Sequence, residues 1–86
     1  IAHVEILVKE ILKLIQNMEQ IKKNIDDIKK TLEKSQNQSA EILLNESINH
    51  FKKAQESLES GKIRVARTEL SITIKLLEKT KSMIIN

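Results

Sequence analysis

The sequence predicts an all-α protein: a three-helix antiparallel up-down-up bundle with a long, coiled-coil-like first helix. Three observations carry this. Over the first third of the chain, every core position of a seven-residue repeat is apolar. Two further amphipathic stretches follow, each long enough for about six helical turns. The 86 residues include one glycine, no proline and no cysteine, whereas an all-β domain needs turn-forming residues roughly every 8–12 positions.

The first helix is expected over about Ala2–Lys34. Val4, Ile11, Met18, Ile25 and Leu32 share one heptad position, and Leu7, Leu14, Ile21 and Ile28 share the one three residues later. A strict seven-residue stripe stays against a partner only if the helices supercoil left-handedly. Glu5/Lys9, Glu19/Lys23 and Asp26/Lys30 place an acid four residues before a base, the favourable order for helical ion pairs.

The polar run Ser35–Ser39 has no periodic apolar member and reads as the first turn. Ser39 is the favoured cap of the second helix, with Glu41 against the helix dipole; Ser35 with Gln38 also fits a capping box. The second helix is expected over about Ala40–Ser60. Its stripe, Ala40, Leu44, Ser47, Phe51, Ala54 and Leu58, alternates small and large residues, flanked by Leu43 and Ile48. The small members sit two turns apart and invite the close approach of a neighbouring helix. Gly61 is expected in the left-handed conformation that ends a helix and opens a hairpin.

The third helix is expected over about Lys62–Ile85. Ile63, Ala66, Leu70, Thr73 or Ile74, Leu77 and Ile84 line one face, widened by Leu76 and Met83. Lys75, Lys79 and Lys81 favour the negative end of its dipole. The expected core is Met18, Ile21, Ile25, Ile28, Leu44, Ile48, Phe51, Leu58, Leu70, Ile74 and Leu77, in a single domain over residues 1–86.

The helix lengths do not match. At 1.5 Å per residue the first is roughly 50 Å long and the others roughly 30–36 Å. The second helix should reach back only to about Leu14, leaving residues 1–13 as an overhang. That overhang holds Ile1, Val4, Ile6, Leu7, Val8, Ile11 and Leu12, more apolar surface than should face water.

Composition narrows the chemistry. Lacking cysteine, the chain has no disulfide framework or thiolate zinc site, and one glycine cannot build a phosphate-cradling loop. No Ser/His/acid grouping has interpretable spacing, so no catalytic residue, cofactor site or metal site is assigned and the chain is read as a non-enzyme. Glu46 and His50 have the i, i+4 spacing of a two-ligand metal arm, but nothing nearby suggests a third ligand. His3, near the chain end, carries no signal. Asn37-Gln-Ser39 and Asn45-Glu-Ser47 match the glycosylation pattern, which is short and common by chance.

Fifteen Lys/Arg against 12 Asp/Glu give a net charge of +3, a mixed surface rather than a polycation. Lys22/Lys23, Lys29/Lys30, Lys52/Lys53 and Lys62/Arg64/Arg67 invite a nucleic-acid reading. Interleaved acids and the lack of an exposed aromatic platform speak against it. The first fifteen residues carry only two lysines and no aromatic, which speaks against a membrane-surface helix. Asn49–Thr80 resembles, in outline only, one tetratricopeptide-type hairpin through Ala54, Leu58, Gly61 and Ala66. It departs in its missing aromatics, its missing proline and the absence of a second copy 34 residues away, and no family is assigned.

The leading expectation is a helical protein-interaction or oligomerisation module, most simply self-associating through the first helix. Val4, Leu7, Val8 and Ile11 would form the centre of the contact, with Ile6 and Leu12 at its margin. The alternative is an extracellular or surface-exposed microbial binding module. Its basis is the Ile-, Lys- and Asn-rich, AT-biased composition and analogy with small cysteine-free bundles. The third is an accessory nucleic-acid-binding domain. The chain begins without Met, as a processed or excised segment would, so cytoplasmic and secreted or surface locations both stay open.

Overall fold

A computed structural model describes residues 2–85. Three helices, α1 (Ala2–Ser35), α2 (Gln38–Glu59) and α3 (Ile63–Ile85), form an up-down-up bundle. The molecule is a rod of 52 × 16 × 16 Å. The 34 residues of α1 span about 51 Å, so this one helix sets the full length. The expected bundle with a long first helix is what the chain forms.

The core follows the stripes. On α1, Leu14, Met18, Ile21, Ile25, Ile28 and Leu32 are buried; on α2, Ala40, Leu44, Phe51 and Ala54; on α3, Ala66, Leu70 and Leu77. Ile48, Leu58, Ile63 and Ile84 are partly buried against them.

α2 and α3 approach each other's backbones much more closely than either approaches α1. The sequence explains why. One heptad position of α2 holds Ala40, Ser47 and Ala54, and the corresponding position of α3 holds Ala66, Thr73 and Thr80. All six are 0 % exposed. Small residues every two turns on both helices leave no bulk to hold the backbones apart. The buried hydroxyls need no partner on another helix. Ser47 Oγ donates to the Leu43 carbonyl (2.9 Å), Thr73 Oγ1 to that of Glu69 (2.8 Å) and Thr80 Oγ1 to that of Leu76 (2.7 Å). Each is satisfied one turn back along its own helix.

Two sequence expectations are corrected here. Ile74, expected in the core, is 41 % exposed, and Thr73 takes the buried position. The register Ile63, Ala66, Leu70, Thr73, Leu77, Thr80, Ile84 is an unbroken 3–4 alternation, and it points Ile74 outward. The cap of α2 is Asn37 rather than Ser39, and the helix begins at Gln38. Asn37 is extended (φ −89°, ψ 99°), and its side-chain oxygen accepts from the Ala40 N–H at 3.1 Å. Asn is at least as good a cap as Ser, and capping two residues earlier shortens the turn to Gln36 and Asn37.

The α2–α3 turn is as expected. Gly61 has φ +77°. The Gly61 N–H donates to the Leu58 carbonyl at 3.1 Å and the Lys62 N–H to that of Ser57 at 2.8 Å, the paired bonds of a Schellman ending. The α1–α2 turn has no glycine, and Gln36 itself adopts φ +52°.

Candidate functional site

The hairpin at Ser60–Lys62 sets where the bundle stops. From Val4 on, Leu14 is the first buried residue of α1, the level to which the length mismatch predicts α2 should reach. Ile11 is half-buried, and from Val4 to Glu10 every side chain of α1 is exposed. Val4 is 63 % exposed, Leu7 47 % and Leu12 54 %, with Ile6 and Val8 similarly open. Ile1 lies outside the described residues.

Helix geometry sorts these side chains. At 3.6 residues per turn, Leu7 prolongs the bundle-facing line of Leu14 and Ile21 past the hairpin tip. Val4, Val8, Ile11 and Ile15 fall on a second line, roughly a quarter turn away, with 4–3–4 spacing. Leu12 borders that line. Ile6 does not join it, because it projects on the far side of α1 among Lys9, Lys13 and the flank of Glu10. The helix therefore brings together Val4, Leu7, Val8 and Ile11, with Leu12 at the margin, and sets Ile6 apart.

Ile15 was not singled out by the sequence reading. It is exposed and carries the strip into a groove of about 310 Å³ between α1 and α2. Met18, Phe51 and Leu58 line the groove, and Glu19, Lys22, Gln55 and Glu59 rim it. The signal for Ile15 was present: 4, 8, 11 and 15 form a short heptad in a second register, masked by the longer one.

Electrostatics around the strip are sparse. Arg67 on α3 pairs with Glu10 at 2.6 Å, both about half exposed, and ties α1 to the hairpin end. The other acid–base contact among the described residues, His50 Nδ1 with Glu69 Oε2 at 2.5 Å, is a hydrogen bond that joins α2 to α3. His50 thus faces an acid across the helix interface rather than forming an arm with Glu46. The acid–base pairs expected along α1 are not closed; both acid–base contacts run between helices. No helix of the described residues is long and apolar enough to cross a membrane. Comparison with family models, curated proteins and solved structures matches none of them to this chain.

Proposed function

We propose that the protein is a non-enzymatic helical interaction module that self-associates through the N-terminal part of α1. The observation that carries this is the exposed strip Val4–Leu7–Val8–Leu12 with the half-buried Ile11 at its base, which the molecule's own helices are too short to cover fully. Its open apolar area is on the order of 500 Å², near the upper end of what monomers leave in water. Two such strips pressed together remove roughly 1,000 Å², about the smallest specific interface. A second copy is therefore a sufficient partner, and the association is weak and concentration-dependent. The 4–3–4 spacing of Val4, Val8, Ile11 and Ile15 is unchanged when read backwards, so it can face itself across a two-fold axis in an antiparallel, coiled-coil manner.

The test is mass by light scattering across concentrations from roughly micromolar to millimolar. The unaltered chain should pass from monomer to dimer. Leu7→Lys with Ile11→Lys should stay monomeric while retaining the helicity of the bundle. A chain that is monomeric throughout the range overturns the reading.

A further inference from the structure

The bundle is not equally knit on its three sides. α2 and α3 are in close backbone contact along the six fully buried small residues and share the His50–Glu69 pair. α1 stands further off. The principal surface grooves all border it, some against α2 and some against α3. Apart from its apolar stripe, its side-chain tie to the others is the half-exposed Glu10–Arg67 pair. The link from α1 to α2 is only Gln36 and Asn37, and Gln36 is held at φ +52° without being glycine.

We infer that α1 exchanges between two copies of the chain, the α2–α3 pair of one accepting α1 of the other. If Gln36 and Asn37 become helical, α1 and α2 join into one continuous helix and α1 swings away from its own hairpin. The vacated face of α2–α3 then takes the α1 of a second copy, which makes the same contacts in the same antiparallel sense to α2. The second copy is the occupant because only it carries the matching stripe, Leu14 to Leu32, by construction. What differs between the closed and exchanged forms is the hinge. Straightening releases the left-handed Gln36, which an L-residue adopts at an energetic disadvantage. Against it stands loss of the Asn37 cap on Ala40. A short hinge under strain is the circumstance in which exchange competes with closure.

This exchange is separate from the strip contact proposed above, which leaves each bundle intact. Lys22 on α1 and Gln55 on α2 are exposed on the rim of one groove, and the chain has no cysteine. Two single-substitution chains, Lys22→Cys and Gln55→Cys, distinguished by a mass tag, would be refolded together at high concentration and treated with a short bis-maleimide. Closed monomers hold positions 22 and 55 on separate molecules, and a strip dimer holds them on separate bundles. Exchange places them side by side, and the tagged–untagged product should form. Adding Gln36→Ala and Asn37→Ala to both chains favours the straight hinge and should raise its yield roughly tenfold. Gln36→Gly, which suits the closed turn and weakens a helix, should lower it by a similar factor. No such product from either the natural or the alanine hinge overturns the inference, as does a yield indifferent to Gln36→Gly. A dimer by light scattering without the product supports the strip contact and rejects exchange.

Discussion

Gly61 and Gln36 occupy the same backbone region, at φ +77° and +52°, and only one of them is suited to it. A Cβ at Gly61 meets nothing within 4 Å, so the effect of a side chain there is conformational alone. Gly61→Ala should destabilise by about 1–2 kcal/mol, and a β-branched residue by more. Gln36→Gly should do the opposite, stabilising the closed monomer by up to about 1 kcal/mol. On a domain of this size 1 kcal/mol moves the melting temperature by about 4–8 °C, so thermal scans of dilute samples decide both signs. Gly61 was legible because it is the only glycine, set where an apolar stripe stops. Asn37 was not. Five polar residues in succession, Ser35 to Ser39, leave the cap open by residue type, and tertiary placement decides. The Asn37 amide also lies 3.4 Å from the Met83 carbonyl at the end of α3, a neighbour that no local rule contains.

At the scale of helices, the pairing of α2 with α3 is set by what their contact line lacks. The small residues of α2 announce a close neighbour by their spacing in the sequence. Which helix answers depends on α3, whose matching positions hold Ala66, Thr73 and Thr80. There, hydropathy misleads: Ile74 outranks Thr73 as a core residue by apolarity, but the line is too narrow for it. The hydroxyl of Thr73 is disposed of on the Glu69 carbonyl, so polarity does not forbid burial. The same feature separates size from polarity by experiment. Thr73→Val keeps the branched shape and strands no partner, since the Glu69 carbonyl retains its backbone bond. It should change stability by less than about 1 kcal/mol. Thr73→Leu and Ser47→Leu add volume where the backbones are closest, and should each cost about 1–3 kcal/mol. Denaturant midpoints for the three variants, read at constant m, check the ordering. A destabilising Thr73→Val would mean that the hydroxyl does more than cap its own helix.

For the whole molecule, the length of α1 divides the rod into a part that folds and a part that waits. From Leu14 onward α1 is bundle; between Val4 and Glu10 it adds no buried side chain to its own fold. Its tie in that region, Glu10 with Arg67, is about half exposed, and such pairs contribute ~0–1 kcal/mol. Stability measured on dilute protein should therefore be indifferent to the N-terminal stretch, while stability on concentrated protein should not. Self-association adds to the folded state in proportion to the logarithm of concentration over Kd. The melting temperature of the full chain should climb with concentration once the dimer forms. Removing residues 1–10, or introducing Leu7→Lys with Ile11→Lys, should leave the dilute melting temperature within a few degrees of the full chain and abolish its rise with concentration. Calorimetry over a roughly hundredfold concentration range separates the outcomes, since a hundredfold excess over Kd amounts to about 2.7 kcal/mol. A full chain whose melting temperature is flat over that range has no partner in itself. A truncated chain that melts far lower even when dilute would mean that residues 1–10 belong to the bundle after all.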